Sequence, residues 1–571
     1  MGHSLSESPI LGGEAQVDGH VVEGTFSWKE DATPAVGDDY TFPAIFTPSN
    51  TTFFESVECL VPVRVTIYDR LFTDNTGNHL WSDPLNWANG FVPEELADAT
   101  IDGPVIINIP VTIDELTIEE NAEVFVVESG SLTVGHSGTS SNGRYGDLYV
   151  KDQATVTFNG AFELNDFYLA SFLDSYNGNS TSGQVNNPNN LRIDGDVYFD
   201  LQIDASGECT PGWYDFTVPF PVDALNGVYR MENGVQTKVT NEVNYAIMSY
   251  NEAVRAEGQY GWKKFRGIMQ PGTCYTMTID DVYPIYRFKK TAGGALNTNN
   301  TLTMTYTVGA GGAINQGWNC LGNGTLRHAD IAADGISKVQ VYNHETNAYS
   351  VVNVDECSFV VGAAFFVQAT APSSVLTLNQ ATNSILRAPA ANRATSNIEH
   401  CIKLTNANEK EFDRLYLSAT DEEKTSYIPG RDLTKFELSQ SAAQMWCAAY
   451  DAKLCDVELT LQNNMVEFPL SIFAPAATTY TLSLAKTIDN ETLYVVQDGS
   501  IVWNLSLSDF TFDLSKGTNT SYSIRLVRDA YAMPTSIQQT EQNGASKLMI
   551  DGALYILRDG KMFDAQGRLV K

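Results

Sequence analysis

The fold is decided by residues 110–164, PVTIDELTIEENAEVFVVESGSLTVGHSGTSSNGRYGDLYVKDQATVTFNGAFEL. Apolar residues return in this stretch every eight positions, as two sets offset by two residues. An apolar-x-apolar pair in each period predicts a short strand with one buried face, because successive side chains point to opposite faces of a strand. The first set is Leu116, Val124, Leu132, Leu148, Val156 and Leu164, interrupted at Ser140, and the second is Ile118, Val126, Val134, Val150 and Phe158, interrupted at Asn142.

Three such strands would form a coil of about 24 residues, which is a plausible rung of a β-solenoid. An antiparallel meander gives the same pattern and remains an alternative. The preceding stretch LWSDPLNWANGFVPEELADATI carries Trp81 and Trp87, and it resembles the entry to right-handed β-solenoid-like segments of secreted bacterial proteins. We therefore assign residues 68–205 to a β-solenoid-like segment that ends in an exposed loop rich in Asn, Ser and Gly, Asn177 to Asn190.

The composition limits the classes of partner. A chain of 571 residues is long enough for three to five domains. Its 69 acidic residues against 35 basic ones give a net charge of −34, which disfavours nucleic acid and anionic membranes as partners. No run approaches the roughly 18 apolar residues of a transmembrane segment. The N-terminus lacks the features of a signal peptide, so we expect that a secreted protein of this sequence would be a fragment or a processed chain.

The N-terminal residues 1–67 alternate strand-like runs with turn clusters, as in an all-β unit. The runs Gly24–Trp28 and Phe46–Pro48 resemble a pattern of small immunoglobulin-like repeats in bacterial surface proteins. The resemblance implies a spacer domain, in which Trp28 belongs to the core.

Residues 206–388 contain two related halves, 248–277 and 339–369, each with a Tyr-Asn pair followed by a strand with aromatic residues. The runs Gly317–Asn323 and Phe365–Ala369 resemble the GWN…FFVQA module of large Bacteroidetes surface proteins. The sequence departs from that module at 324–325, where Gly-Thr replaces the usual Pro-Tyr. We predict a β-sandwich module with an internal duplication.

The C-terminal part begins with a linker, Asn383 to Asn397, and a second β-sandwich module, residues 398–529. Residues 530–571 follow as a polar tether and a tail. Asp551-Gly552 and Asp559-Gly560 separate apolar runs in this tail, and Asp-Gly between alternating strands is a strong hairpin signal. The tail is therefore predicted to be a three-stranded meander, which could simply complete the last domain.

The elements Leu554–Lys561 and Phe563–Arg568 also resemble the C-terminal sorting segment of proteins that Bacteroidetes export by type IX secretion. The resemblance implies that the secretion machinery is a partner, and that the protein is extracellular or on the cell surface, associated with the outer membrane. The residues that carry it are Tyr555, Ile556, Arg558, Gly560, Lys561, Asp564, Gly567, Val570 and Lys571.

The sequence offers no catalytic signature. GxSxG, HExxH, a Gly-rich phosphate loop and a Cys/His nucleophile pattern are all missing from it, and its seven histidines are scattered. The eight cysteines form no CxxC pair, which disfavours a structural zinc site, although Cys447 and Cys455 could bridge a short loop. The acidic loops Asp74–Asn78 and Asp421–Glu423 lack EF-hand spacing and read as solvated turns. We expect no enzyme activity, no cofactor and no metal.

Two functional alternatives remain beside a structural or adhesive role. Exposed aromatic residues could stack on sugars, although core packing is the default for aromatic residues in β-sandwiches. A glycan-active enzyme would require three or more exposed carboxylates in one groove of the solenoid. The glycan-contact candidates are Trp262 and Trp318, followed by Trp213, Tyr214 and Tyr260, and the carboxylates of the repeating segment are Asp114, Glu115, Glu119, Glu120, Glu123 and Glu128.

The sequence as a whole predicts an all-β, multi-domain protein with immunoglobulin-like and β-sandwich modules and a β-solenoid segment. Its expected function is that of a non-catalytic structural or adhesive protein of the cell surface. A carbohydrate-binding adhesin is the first alternative, and an enzyme of the β-solenoid type is the second. An upstream domain, the ligand and the disulfide pairing cannot be read from the sequence.

Overall fold

The fold was analysed in a computed structural model. It describes residues 4–7, 10, 12–34, 37–65, 70–95, 97–119, 121–140, 146–174, 180–204, 212–279, 281, 284–343, 348–354, 358–381, 399–406, 411–436, 442–528, 545–550, 553–558, 561–564 and 568–570. About 56% of the chain is strand and 3% is helix, so the all-β prediction is confirmed. Among the described residues, every helix is too short or too polar to cross a membrane.

The chain forms two compact units. Unit 1 is Met1–Thr395 together with Tyr427–Ala442, and unit 2 is Ser396–Ser426 together with Ala443–Lys571. The boundary near residue 395 falls inside the stretch predicted as a linker, whose residues lie outside the described ranges. The segment Tyr427–Ala442 returns from the sequence of unit 2 to complete unit 1, which the sequence did not indicate.

The N-terminal segment begins with a 3-10 turn at Leu5–Glu7 and forms a hairpin, β1–β2, and a three-stranded antiparallel sheet, β3–β4–β5. A Cβ atom at Gly24 would lie 2.4 Å from the Phe46 ring, which explains why the Gly24–Trp28 strand begins with glycine. Trp28, predicted in the core, is half-buried. These five strands are fewer than the seven of an immunoglobulin domain. They are β1 (Ala15–Val17), β2 (His20–Val22), β3 (Gly24–Trp28), β4 (Gly37–Pro48) and β5 (Val57–Val65).

The ladder region, as we call residues 70–203, contains the repeating stretch. Its strands are β6 (Arg70–Phe72), β7 (Ala99–Ile101), β8 (Val105–Ile107), β9 (Pro110–Ile118), β10 (Glu123–Val126), β11 (Ser131–Ser140), β12 (Asp147–Val150), β13 (Thr155–Phe158), β14 (Phe162–Leu164), β15 (Phe167–Leu173), β16 (Thr181–Ser182), β17 (Gln184–Asn186), β18 (Leu191–Ile193) and β19 (Val197–Ile203). Two 3-10 turns, Pro84–Asn86 and Pro188–Asn190, lie between them.

The strands of the ladder region stack in parallel. One sheet has the order β8-β10-β12-β15-β19, and the other has the order β6-β7-β9-β11-β13-β17, with β14 and β18 extending it beside β11. An antiparallel meander is therefore wrong for this region, and parallel stacking is the pairing that a solenoid requires. Val124 pairs with Leu148, 24 residues later, which is the predicted coil length. Longer loops increase this spacing elsewhere, to 30 residues between Phe167 and Val197.

The repeating apolar residues form the core of the ladder region. All eleven members of the two eight-residue sets are at most 1% exposed. Burying each of these side chains is worth roughly 1.5–3 kcal/mol relative to leaving it in water. The periodicity in the sequence thus identifies the interior of the stack.

An aromatic cap covers the start of the ladder region. Trp81 and Trp87 are each 1% exposed, with ring centroids 4.7 Å apart, and Phe72 packs against Trp87 at 5.2 Å. The indole nitrogen of Trp87 donates to the carbonyl of Trp81 at 2.9 Å. The entry motif recognised in the sequence therefore supplies the cap that closes one end of the core.

The next part of unit 1 consists of two repeats. Repeat 1 contains β20 (Gly212–Phe216), β21 (Val222–Asp223), β22 (Val228–Glu232), β23 (Val235–Lys238), β24 (Ile247–Tyr250), α1 (Glu252–Ala256), β25 (Trp262–Lys264), β26 (Ile268–Met269), β27 (Tyr275–Ile279) and β28 (Ile285–Lys289). Repeat 2 contains β29 (Thr301–Thr303), β30 (Trp318–Gly322), β31 (Ala329–Ala333), β32 (Lys338–Asn343), β33 (Ala348–Asn353), β34 (Ala364–Gln368) and β35 (Val375–Gln380).

The two repeats share one topology. Repeat 1 has a four-stranded sheet, β20-β27-β24-β25, and repeat 2 has its counterpart, β30-β34-β32-β33, with every pair antiparallel. The three-stranded arrangement β19-β28-β22 likewise matches β29-β35-β31. Gly212-Trp213 and Gly317-Trp318 begin the equivalent strands β20 and β30. This signal was visible in the sequence, but only the Gly317-Trp318 copy was recognised.

Strand β19 belongs to both the ladder region and repeat 1. It pairs in parallel with β15 and in antiparallel with β28. The predicted boundary at residue 205 thus lies between strands of one continuous sheet. A disulfide, Cys274–Cys320, joins the loop before β27 of repeat 1 to β30 of repeat 2.

Unit 2 contains a large sheet and the tail. Its strands, numbered with β38 of the unit 1 segment, are β36 (His400–Asn406), β37 (Glu411–Thr420), β38 (Leu433–Thr434), β39 (Gln444–Ala449), β40 (Ala452–Thr460), β41 (Met465–Ala474), β42 (Thr478–Lys486), β43 (Glu491–Gln497), β44 (Ser500–Asn504), β45 (Phe510–Leu514), β46 (Gly517–Arg528), β47 (Ala545–Ile550), β48 (Ala553–Arg558) and β49 (Lys561–Asp564). Ten strands follow the order β44-β43-β46-β41-β39-β40-β37-β36-β42-β45. Cys447 and Cys455 are buried free thiols, so the bridge considered from the sequence is wrong.

The tail forms a sheet of its own, β47-β48-β49. Ile550 pairs with Ala553 and Arg558 pairs with Lys561, so two residues separate the strands at each turn. The predicted three-stranded meander is confirmed, although the Asp-Gly turn residues themselves lie outside the described ranges.

Candidate functional site

The two tryptophans predicted to contact glycans have different environments. Trp318 is fully buried and its indole nitrogen donates to the carbonyl of Ile314 at 3.0 Å. Its ring is therefore closed to a ligand from solvent, which corrects the prediction for Trp318. Trp262 is half-buried, with its ring centroid 5.4 Å from that of Tyr250 and 5.9 Å from that of Phe366.

Both tryptophans belong to one aromatic cluster, which consists of Tyr250, Trp262, Trp318, Tyr349, Phe366 and Phe436. Phe436 lies at its centre, with its ring centroid 4.7 Å from Trp318 and 4.9 Å from Phe366. The guanidinium of Arg255 lies 5.4 Å from the Phe436 centroid. Phe436 comes from the returning segment Tyr427–Ala442, whose long separation in sequence hid it from prediction.

The other aromatic candidates divide between core and surface. Tyr214 is fully buried, whereas Trp213 is 38% exposed and Tyr260 is 70% exposed. Trp213 occupies in repeat 1 the position that Trp318 occupies in repeat 2. Because Phe436 covers the repeat 2 tryptophan, Trp213 is the copy of this pair that stays accessible.

A buried carboxyl lies where the repeats meet. Asp215 accepts a hydrogen bond from the Tyr349 hydroxyl, and Thr276 is a second hydrogen-bond partner. Burial raises the pKa of Asp215 to about 6, against the lowering effect of these two hydroxyl groups. The same burial, together with the charge of Asp215, raises the pKa of Tyr349 well above its usual value.

The outer face of the sheet β8-β10-β12-β15-β19 carries two aligned rows of side chains, which we call the acidic–aromatic face. Neighbouring rings in its aromatic row stack, with centroids 4.4, 4.1 and 4.9 Å apart and interplanar angles of at most 17°. The strand register places the acidic row two residues earlier on the same strands. The aromatic row is Phe125, Tyr149, Tyr168 and Tyr198, and the acidic row is Glu123, Asp147, Asp166 and Asp196.

The two rows are bonded to each other. Tyr149 donates to Glu123 at 3.0 Å, and Tyr198 donates to Asp196 at 2.9 Å. The backbone amide of Asp166 donates to Asp147 at 3.1 Å, and that of Asp196 donates to Asp166 at 2.7 Å. Each of these two aspartates therefore ties its own coil to the next coil of the stack.

Cations border the same face. The guanidinium of Arg287 lies 4.8 Å from the Tyr168 centroid and makes two hydrogen bonds to Asp200, each of 2.7 Å. Burial raises the pKa of Asp147. Burial also acts to raise the pKa of Asp196, but its bonds from Lys289 and Tyr198 outweigh that effect and leave the pKa lowered.

This geometry bears on both functional alternatives. The ring faces in the aromatic row are turned towards each other, so a sugar ring meets their edges and lacks a flat surface on which to stack. The acidic row provides four half-buried carboxylates in one line, of which only Glu123 was a candidate from the sequence. Their oxygens already accept hydrogen bonds from the scaffold. The face is thus arranged to hold coils together.

Histidine offers one further pair to consider. A ring nitrogen of His328 lies 3.0 Å from the Ser182 hydroxyl, but both residues are buried, at 6% and 0% exposure. Burial lowers the pKa of His328 to about 4. A substrate from solvent would not reach this serine, so the pair reads as part of the core.

The tail residues of the predicted sorting segment lie along two strands. Tyr555, Ile556 and Arg558 are on β48, and Lys561 and Asp564 are on β49, while Val570 follows the last strand. The Asp564 carboxylate accepts bonds from the backbone amide and the guanidinium of Arg568, at 2.8 and 2.7 Å. Gly560, Gly567 and Lys571 lie outside the described residues.

Comparison with known proteins found no match: no family model, no curated protein and no solved structure is similar to this chain.

Proposed function

We propose that this chain is a non-catalytic structural or adhesive protein of the cell surface, exported by a type IX-like route through its tail. The observation that carries the structural part is the acidic–aromatic face, whose polar groups bond from coil to coil. A surface in which carboxylates and hydroxyls satisfy each other suits a load-bearing scaffold. The disulfide Cys274–Cys320 suits an oxidising compartment such as the bacterial periplasm or the exterior.

The tail supports the export part of the proposal. It forms a three-stranded sheet separate from the large sheet of unit 2, so its removal leaves that large sheet with all its strands. The resemblance of Leu554–Lys561 and Phe563–Arg568 to a sorting segment then assigns the tail its role. Asp564 and Arg568 give this segment an ordered turn.

The export proposal is tested by deleting Lys547–Lys571 from the chain, expressed behind a signal peptide in a Bacteroidetes host with type IX secretion. We expect the intact chain at the cell surface or in the medium, and the deletion variant in the periplasm. The intact chain in a host without the secretion apparatus is the matched control. Normal surface display of the deletion variant would refute the export role.

A carbohydrate-binding adhesin is the second candidate, because repeat 1 leaves Trp213 and Tyr260 accessible. A glycan array should then show saturable binding that Trp213→Ala or Tyr260→Ala abolishes. Val235→Ala, at a 64% exposed position of the same repeat, serves as the control. Binding that survives both aromatic substitutions would remove these residues as contacts.

A further inference from the structure

Three potential metal ligands converge in the interior of unit 1, where the two repeats meet. The Sγ atoms of Cys274 and Cys320 and a carboxylate oxygen of Asp215 all lie within 4.8 Å of one another. The residues are 0%, 6% and 8% exposed, respectively. In the oxidised chain the two sulfurs form the disulfide, and the carboxylate lies beside it.

The fold places these donors from three separate segments. Asp215 on β20 and Cys320 on β30 are equivalent positions of the two repeats, because each follows the strand's tryptophan by two residues. Cys274 lies just before β27, and its backbone amide donates to the carbonyl of Cys320 at 3.2 Å. Asp215 pairs with Thr276 in the adjacent strand, which brings the carboxylate to the same place.

The charge at this place is unusual. The hydrogen-bond partners of Asp215 are the hydroxyl groups of Tyr349 and Thr276, and no lysine, arginine or histidine among the described residues forms an ion pair with it. A buried carboxylate without a cation is costly, and a metal ion is one means of compensating it. The donor set therefore lacks only the positive charge.

We propose that Asp215, Cys274 and Cys320 form a binding site for one thiophilic divalent cation, such as Zn²⁺, when the disulfide is reduced. A phosphine reductant and one water convert the disulfide to two thiols and the phosphine oxide. Each thiol then releases a proton as its sulfur binds the cation. Zinc bonds of about 2.3 Å to sulfur and 2.0–2.2 Å to oxygen require only small side-chain shifts from the present cluster.

The donor chemistry selects the class of cation. Two thiolates and one carboxylate suit Zn²⁺ or Cd²⁺, whereas Ca²⁺ and Mg²⁺ take oxygen ligands. A solvent molecule completes a tetrahedral site with three protein ligands. The cation and the disulfide are then alternative cross-links at one position, the first in the reduced chain and the second in the oxidised chain.

The test uses the full chain, reduced with a phosphine under anaerobic conditions and titrated with Cd²⁺ as the probe. We expect one cation per chain, with the ultraviolet charge-transfer absorption of cadmium–thiolate bonds, and none in the oxidised chain. Asp215→Asn should weaken binding about tenfold or more. The double variant Cys274→Ser/Cys320→Ser should abolish it, and Cys447→Ser/Cys455→Ser, at free thiols of unit 2, should leave it unchanged.

Folding is followed in the same samples by hydrogen exchange of β20, β27 and β30, which the cation should protect in the reduced chain. The proposal is overturned if the reduced chain binds no stoichiometric cation. It is equally overturned if binding survives Cys274→Ser/Cys320→Ser, or if reduction unfolds these strands even with Cd²⁺ present.

Discussion

The ring of Tyr149 lies flat against the ring of Tyr168, with 4.1 Å between their centroids and 7° between their planes. Neighbouring strands of a sheet are separated by about 4.8 Å, so rings at equivalent positions of successive coils must stack at close to this distance. The contact therefore reports the parallel register of β12 and β15 directly. It also joins the acidic–aromatic face into one continuous structure.

The stacking predicts that Tyr168→Ala will weaken the ladder region. The substitution removes ring contacts to Tyr149 and Tyr198, and we expect a loss of about 3 kcal/mol in local stability. Because the chain has two units, hydrogen exchange of β12, β15 and β19 is the suitable measurement. Tyr168→Phe, which loses only the 3.3 Å bond to Asp166, should cost less than about 1 kcal/mol. Equal effects of the two variants would contradict a role of ring stacking.

A second prediction concerns Asn86 in the cap of the ladder region. Its side chain accepts from the backbone amide and hydroxyl of Thr76 and donates to Asn78 and to the carbonyl of Leu80. Asn86→Ala would leave these groups unsatisfied, at a cost of about 2 kcal/mol. Faster hydrogen exchange in residues 72–88 would reveal the loss. The matched control is Asn89→Ala, at an exposed position nearby, and an equally large effect there would refute this account.

A third prediction concerns pH. Burial lowers the pKa of His328 from 6.5 to about 4, so between these values the unfolded chain binds a proton that the folded chain does not. Stability should therefore fall as the pH decreases from 6.5 to 4, by about 3 kcal/mol from this group alone. Urea unfolding of unit 1 at several pH values, compared between the protein and His328→Asn, measures this term.

The control for this experiment is His20→Asn, because the His20 side chain is exposed. Its pH profile should match that of the unaltered protein, whereas the profile of His328→Asn should be flatter between pH 6.5 and 4. An imidazole signal of His328 that titrates near pH 6.5 in the folded protein would show that the prediction is wrong.

These features differ in how far the sequence could predict them. The buried residues of the ladder region follow a period of eight, which any coil of three short strands preserves, so the core was predictable. The acidic–aromatic face was not, because loop lengths vary between coils. Tyr149, Tyr168 and Tyr198 are separated by 19 and then 30 residues, and only the parallel register brings them into one row.

The repeats show a different limit. A local signal existed for their duplication, since Gly212-Trp213 and Gly317-Trp318 begin equivalent strands. The burial of Trp318 had no local signal, because Phe436 covers it from more than 100 residues away. Pairing of Cys274 with Cys320 also depends on two strands that meet only in the folded chain. Contacts of this kind follow from topology, which residue patterns alone do not determine.

The last prediction follows from the position of Phe436. This half-buried ring contacts Trp318, Tyr349 and Phe366, with centroids 4.7, 5.4 and 4.9 Å away. Phe436→Ala should therefore cost about 2 kcal/mol locally and speed hydrogen exchange in β30 and β34. Phe436→Leu, which keeps most of the volume, should cost less than about 1.5 kcal/mol. If Phe436→Ala left exchange in β30 unchanged, the returning segment would not be what closes the aromatic cluster.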